Sequence, residues 1–551
     1  MEKHKSFNSI NYSWPSIIQF FGLFCLCCFL VISCSQPQNN PDNTLIIETN
    51  TNRITIGTTL KPRTIDPADA YEVISGNLLH NLGDRLYSYK LGTMELVPSL
   101  ATEMPKISED GTTYTIPIRQ GVTFHDGTPF NAEAMAFSLK RFIKNSGPPS
   151  SLLTNTIESV EATGEYQLTI KLKKPFAAFT SLLTFSGLCA VSPQAYEIGE
   201  SQFKPDTFIG TGPYKLAEYG TDTLRLDVFE NYWGEKPKNQ GIDIQIFSSS
   251  ANLFNAFKTG FIDVAYFSLD TDQITNLEAE AIRQGWQVIS TDGKTVNYMV
   301  LNLNLEPLNN KAVRQALASI IDRKLLNERV LQGKAEPVYS LIPKKINSYK
   351  PVFKENYGDG NFAQAKELLK EAGYSRNSPA KIEIWYAANS TKRQLTASTL
   401  KAYVDQNLEG LMELDLKSVE AATAFNNLDK GVYQTFILDW YGDFLDADNY
   451  IQPFLECIKG SKEKGCEEGA SQFQGSFYYS DRINKLIQQQ RQEQNPEKRL
   501  AIFVEIQELL AEDVPFIPLW LDKDYVFAQK NISGVSLEPT QQFSFLKINK
   551  S

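Results

Sequence analysis

Histidine is nearly missing from this chain: His4, His80 and His125 are the only three in 551 residues. That leaves little for imidazole-based acid–base catalysis or for a zinc triad. The patterns H-E-x-x-H, G-x-S-x-G and G-x-x-x-x-G-K-[ST] are absent as well, which removes the usual signatures of zinc peptidases, serine hydrolases and P-loop enzymes. Carboxylates are plentiful but show no diagnostic spacing. The chain is therefore expected not to be an enzyme, and to use no cofactor and no metal. Positive charge is not in excess either. The net charge is −10, and an acidic surface repels phosphate backbones, so no nucleic-acid partner is expected. No short internal repeat is visible. Hydrophobic residues make up 42% and charged residues 21%, an ordinary globular balance that excludes a largely disordered or membrane-spanning body.

Cysteine is scarce, and most of it lies near the N-terminus. Of seven cysteines, Cys25, Cys27 and Cys28 fall in the apolar run Ile17–Ile32, which follows a polar lead containing Lys3 and Lys5. The run is short for a membrane span and suits the core of a signal peptide. It ends in Val31-Ile32-Ser33-Cys34. A small residue directly before a cysteine, after such a run, resembles the lipobox of bacterial lipoproteins. The resemblance implies a signal peptide over 1–33, cleavage before Cys34 and lipidation of its thiol, with two or three acyl chains giving stable anchoring. An uncleaved anchor helix or an ordinary secretory signal is the alternative. Residues 34–52 are mostly polar and turn-forming, and are expected to be a flexible tether. Of the remaining cysteines, Cys457 and Cys466 flank the charged loop IKGSKEKG. In an oxidising compartment they are expected to form a disulfide, two free thiols being the alternative. Cys189 sits in the apolar run Leu188–Val191 and is expected to be an inert core thiol.

The length predicts two or three domains. Strand-like and helix-like segments alternate, which points to α/β domains. Arg53–Thr58, Thr112–Arg119, Tyr166–Lys173, Ile242–Phe247, Val296–Leu303 and Lys381–Tyr386 read as strands. Asn131 is placed to cap AEAMAFSLKRFIKN, with Met135, Leu139, Phe142 and Ile143 on one face. Asn310 is placed to cap KAVRQALASIID, and Asn361 to cap FAQAKELLKEAGY, which stops at Gly373. A long helical pattern, Glu497–Glu512, precedes VPFIPLWL. Its Pro515 and Pro518 predict an edge or crossing strand and not a central one. Asp126-Gly127 is a turn signal, and Gly210, Gly212 and Pro213 read as a tight turn. These segments alone give no function.

From Leu100 onward, LATEMPKISEDGTTYTIPIRQGVTFHDGTPFNAEAMAFSLKRF resembles the signature of the family 5 extracellular solute-binding proteins, the oligopeptide- and dipeptide-binding proteins of ABC importers. GTGPY at Gly210–Tyr214, NYWG at Asn231–Gly234, LNLNLEPLNNKAVRQALASIIDR from Leu301 and DWYGDFLDADNY at Asp439–Tyr450 follow in the family's order. Each match is weak alone; five in order across nearly the whole mature chain are specific. The resemblance implies an α/β, two-lobed periplasmic-binding-protein clamshell (type II, cluster C-like), with an extra subdomain inserted in the first lobe. It implies lobe I over 53–76, 206–295 and 525–551, the inserted subdomain over 77–205 and lobe II over 296–524. The chain would cross between lobes near Asp292–Tyr298 and Pro515–Phe527, and the lobes would close on ligand.

In peptide-binding members of that family, an Asp three residues after a Trp pairs with the ligand's α-ammonium. Trp440-Tyr441-Gly442-Asp443 matches, so the resemblance makes Asp443 the first candidate. Asp446 and Asp448 lie close by and could cap the next helix instead. Trp440 and Tyr441 are candidates for a side-chain pocket, because aromatics give large contact area at small entropic cost. Trp385 is a second-line candidate, beside Tyr386, and Tyr71 lies in a loop that borders the family's cleft. The implied partners are a short peptide, the permease and ATPase subunits of an ABC importer, and the membrane through the lipid anchor. The chain is expected to be a monomer on the periplasmic or extracellular face of a bacterial membrane. A same-fold receptor for a nickel chelate, glutathione, haem or an oligosaccharide, or a peptide sensor without transport, is the alternative.

Overall fold

The computed structural model describes residues 52–538, 540 and 542–551. The expected signal peptide, Cys34 and all of the expected tether except its last residue lie outside the described residues. Among the described residues no helix is long and apolar enough to cross a membrane.

The alternating segments assemble into one sheet of eleven strands. In chain order they are β1 (Ile54–Thr58), β2 (Tyr214–Tyr219), β3 (Thr223–Val228), β4 (Gly241–Ile246), β5 (Val264–Tyr266), β6 (Gln287–Leu301), β7 (Ala335–Pro337), β8 (Ala380–Ala387), β9 (Met412–Val419), β10 (Thr435–Trp440) and β11 (Phe516–Ala528). Their spatial order is β9-β8-β10-β6-β11-β5-β1-β4-β3-β2, with β7 pairing on β11 outside that path. The two long strands, β6 and β11, pair antiparallel along nearly their whole length. One end of that pair continues into β5, β1 and β4, the other into β10 and β8. The fold is thus a two-lobed clamshell whose lobes share a pair of crossing strands.

Separate cores explain why the strands divide this way. Ile54 and Ile56 of β1, Ile242 and Ile244 of β4, and Val526 of β11 are buried in one cluster. Met299 of β6, Ile384 of β8, Ile437 of β10 and Phe516 of β11 are buried in another. A third core belongs to the inserted subdomain. There a four-stranded antiparallel sheet runs Lys106–Ile107, Thr113–Pro117, Gln167–Leu172, Ile157–Gly164. The helix Ala132–Lys144 buries Met135, Leu139 and Phe142 within that core. Ile143 packs against it only partly buried. Asn131 caps that helix by accepting the Ala134 N–H, as the spacing predicts.

Two local expectations are corrected. The helix after Asn310 ends at Ile320, and Asp322 caps a new helix, Arg323–Arg329, by accepting the Leu325 N–H. A capping carboxylate at the end of an apolar pattern is a competing start signal. The VPFIPLWL segment forms part of β11, which crosses between lobes but is central in the sheet. Pro518 is tolerated there because the register slips beside it: Asn297 pairs with Trp520 while Tyr298 pairs with Pro518. At such a bulge the donor that proline lacks is not required. The chain bends over 211–213 as expected, and Gly212 also serves close approach. A Cβ on Gly212 would lie 2.5 Å from the Leu82 carbonyl carbon. The Asp126-Gly127 turn holds, with Gly127 at φ +82° and Asp126 accepting the Thr128 N–H.

Candidate functional site

β10 ends at Trp440, and the chain turns sharply through Tyr441-Gly442-Asp443. Gly442 is needed because a Cβ there would fall 2.5 Å from the Tyr450 hydroxyl. The turn is stitched by Asn449. Its Oδ1 accepts the Asp443 N–H at 2.8 Å, and its backbone carbonyl accepts the Trp440 indole N–H at 2.9 Å. These bonds fix Asp443 in a half-buried position on the second lobe.

The first lobe reaches the same carboxylate. The Tyr71 hydroxyl donates to Asp443 Oδ2 at 3.1 Å, across 372 residues of sequence. The loop leading to Tyr71 is held by a buried ion pair. Arg141 Nη1 and Nη2 donate to Asp66 Oδ1 and Oδ2 at 2.7 and 2.6 Å. The Lys204 N–H donates to the same Oδ2 at 2.7 Å. Both partners of that pair are almost wholly inaccessible, where paired and hydrogen-bonded charges are tolerated and single ones are not.

Other contacts join the inserted subdomain to the second lobe. Phe444 is buried in the subdomain's core. The Ala177 N–H donates to the Arg491 carbonyl at 2.7 Å, and the Arg491 guanidinium stands 4.3 Å from the Phe176 ring centroid. The cleft is closed in this structure. A cavity of about 560 Å³ is lined by Tyr71, Phe176, Trp440, Asp443, Asn449 and Arg491 among others. A second, of about 590 Å³, is lined by Phe267, Lys392, Asp522, Asp524 and their neighbours, where β11 crosses.

Burial dominates the electrostatics. It raises the Asp443 carboxyl to about 6, opposed by the nearby Lys294 ammonium and by hydrogen bonds from Asn449 and Tyr71. Burial lowers Lys294 to about 8, opposed by the carboxylates of Asp443 and Asp524. Burial and the charges of Asp524 and Asp443 push the Tyr441 phenol up. The Lys294 ammonium lies 4.2 Å from the Tyr441 ring centroid. Asp443 therefore carries a charge that its surroundings only partly compensate, in a place a ligand can fill.

The structure brings Tyr71, Trp440 and Asp443 to one cavity and places Tyr441 beneath Lys294. Trp385 lines neither cavity; its indole N–H donates to Glu383 and its ring packs on Tyr433 at 4.8 Å. Asp446 caps the short turn Ala447–Tyr450 and pairs with Arg499, while Asp448 is buried against Arg491 and Gln490. Cys457 and Cys466 are bonded to one another. Cys189 is buried, with its thiol pushed up to about 12 by that burial. His125 is structural. Its Nδ1 accepts the Gly210 N–H, its Nε2 faces the Gly212 carbonyl, and burial lowers it to about 4. Sequence reasoning missed Asn449, Lys294 and Arg491. Asn449 stood within the DWYGDFLDADNY stretch, whereas nothing local marks the other two.

A pair of lobes meeting at a cleft with a carboxylate in its wall is the arrangement of a solute receptor. The comparisons with known proteins give the family. The sequence profile of the bacterial extracellular solute-binding proteins, family 5, middle region, matches residues 95–462, and the chain belongs to that family. It is 27% identical over 497 residues to the glutathione-binding protein GsiB of Salmonella typhi, covering 88% of this chain and 91% of that one. The periplasmic binding protein DppA of Helicobacter pylori, solved with the peptide STSA, superposes with a TM-score of 0.74 at 22% identity, covering 90% of this chain and 98% of that one. NikZ of Campylobacter jejuni, solved with Ni(L-His), gives 0.74 at 21% identity, covering 91% of this chain and 100% of that one. The chain is a transporter substrate-binding protein and not an enzyme. Family 5 binding proteins take peptides or small solutes and work with ABC permeases outside the cytoplasm.

Proposed function

We propose that this protein captures short peptides in its interlobe cleft and delivers them to an ABC permease, with Asp443 binding the peptide's α-ammonium. The observation that carries this reading is the state of Asp443. Its carboxylate lines the closed cleft, is reached from the opposite lobe by Tyr71, and is held well above the usual carboxylate range by burial. A ligand ammonium placed there would supply the charge-assisted hydrogen bond that the site lacks. Trp440 lines the same cavity and gives apolar area for the first side chains. In this reading lobe I comprises 53–76, 206–295 and 525–551, the inserted subdomain 77–205 and lobe II 296–524. The receptor is a monomer anchored through lipid on Cys34. Relatives named for glutathione and for a nickel–histidine complex make a non-peptide cargo the second reading. Native mass spectrometry of protein purified under mild conditions tests the first. A co-purified ligand bearing a free amine is expected; haem, a sugar or an amine-free chelate overturns the assignment.

A further inference from the structure

Phe444 follows the candidate carboxylate directly, yet its ring is buried in another body. It is 5% exposed, and every other buried member of the cluster that holds it lies between Leu86 and Ala190, in the inserted subdomain. The loop that carries it is nonetheless fastened to the second lobe on both sides. On one side Asn449 accepts the Asp443 N–H at 2.8 Å. On the other, Arg499 donates to both oxygens of Asp446 at 2.8 and 2.6 Å. Between them the Asp446 N–H donates to the Phe444 carbonyl at 3.1 Å. The backbone thus stays with the second lobe while the side chain is buried across the cleft.

The same core braces the group that reaches Asp443 from the first lobe. Phe185, a buried member of that cluster, meets the Tyr71 ring edge-on with centroids 6.1 Å apart, and Tyr71 donates to Asp443 Oδ2 at 3.1 Å. Phe185 is packed edge-on in turn against Phe142 of the helix Ala132–Lys144, at 6.3 Å. One apolar core therefore fixes both the hydroxyl that reaches the carboxylate and the residue next to that carboxylate in the chain. Phe444 and Asp443 also line the same cavity. Burying a phenylalanine ring is worth roughly ten- to hundredfold in a two-state equilibrium, so the seated ring favours the closed form.

We infer that Phe444 is a positioning residue for this site: its ring, seated in the inserted subdomain, sets the Asp443 carboxylate against Tyr71 and makes the ammonium-reading geometry a property of the closed form. This inference rests on the Asp443 reading proposed above and deepens it. Opening the cleft withdraws the ring from its socket, frees the turn at Asp443 and parts the carboxylate from Tyr71. A ligand that draws the lobes together reseats the ring, and the carboxylate then meets the ammonium already oriented.

Two measurements on Phe444→Ala and Phe444→Leu test this. The first is hydrogen exchange at the Ala177 amide in ligand-free protein, because that N–H bonds to the Arg491 carbonyl across the same junction at 2.7 Å. The alanine change should speed that exchange on the order of ten- to hundredfold, while leucine, which refills most of the socket, should stay close to wild type. The second is calorimetry with trialanine and N-acetyl-trialanine. The wild type should prefer the free amine by about tenfold or more. Phe444→Ala should cut that preference to within about threefold, and Phe444→Leu should keep most of it. A general loss of stability would lower both affinities together and leave their ratio alone, so the ratio separates positioning from mere support. Phe444→Val is read in the same two ways if the alanine variant melts early. An Ala177 amide that exchanges equally fast in the wild type and the alanine variant overturns the inference, as does an amine preference that survives the alanine change. If the wild type shows no amine preference, or binds neither peptide, the Asp443 reading fails and takes the positioning role with it. A wild-type preference with unchanged exchange fails Phe444 alone.

Discussion

Replacing Asp443 with asparagine should move stability and binding in opposite directions. The shape is nearly kept: the Asp443 N–H still donates to Asn449, and an amide oxygen can still accept from Tyr71. Only the charge goes. Burial holds the carboxyl at about 6 in the folded protein, well above its ordinary value of 3.8. That displacement is worth roughly 3 kcal/mol. Because the folded state holds that proton more tightly, the carboxylate destabilises the fold above pH about 6. The penalty shrinks as pH falls through the window from about 6 to 3.8 and is gone below it. The asparagine form without ligand should therefore be more stable at pH 8, by on the order of 1–3 kcal/mol, since Lys294 loses an attractive partner and returns part of the gain. At pH 3.5 the two forms should unfold alike.

Binding should go the other way. Truncating one member of a buried charge pair costs roughly 2–5 kcal/mol, so Asp443→Ala should weaken an amine-bearing peptide on the order of 30- to several-thousand-fold, with Asp443→Asn milder. N-acetylated peptide should bind the wild type poorly and lose little more on mutation. Affinity for the free peptide should also fall as pH drops below about 6, where Asp443 takes up a proton. Urea unfolding at the two pH values, with calorimetry of free and acetylated peptide, measures all of this. The reasoning is refuted if the asparagine form is less stable at pH 8 than the wild type and loses equal affinity for both peptides. Asp443 would then be a structural carboxylate.

Asp66→Ala should leave the Arg141 guanidinium buried without its partner and destabilise by about 3–5 kcal/mol, visible as an early melting transition and a loosened Tyr71 loop in hydrogen exchange. Removing both Cys457 and Cys466, which close a loop of sequence separation 9, should cost roughly 2–3 kcal/mol in urea unfolding; mass mapping that finds both thiols alkylated in native protein would contradict the bond. Cys34→Ser should abolish incorporation of a fatty-acid analogue, and label retained by that variant would end the lipoprotein reading. Ligand should reduce the radius of gyration in X-ray scattering, since the contacts of Tyr71 with Asp443 and of Ala177 with Arg491 bridge the cleft only when it is closed; unchanged curves at saturating peptide would speak against closure on ligand.

Much of the fold was legible because its signals are local. Alternation marked β1 and β8, and asparagine caps marked the helices beginning at Ala132, Lys311 and Phe362. The errors came where a local rule met tertiary context. Pro518 argued against a central strand, and a register slip made room for it. Asp322 was read as the end of one helix and is the cap of the next. At the site, Asp443 was reachable through a resemblance, since its spacing from Trp440 is a sequence feature. Lys294 was not reachable, because its burial depends on a bulge between strands more than 200 residues apart in the chain, and no window of sequence contains both sides of that mismatch.

The cleft's cost and its use come from one source. Burial raises Asp443, so in the empty closed form its charge is only partly compensated for its lost hydration. Opening the cleft that it lines would return it to water. Closure without ligand is thus penalised by the carboxylate that makes closure with ligand favourable, and a ligand shifts the balance only as far as it prefers the closed state. A solute lacking an ammonium would leave Asp443 uncompensated and gain little from closing the lobes. A solute bearing one would remove the penalty and add a charge-assisted hydrogen bond. If Asp443 reads the ammonium as proposed, selectivity resides in the difference between an empty and a filled charge, more than in the fit of the apolar wall.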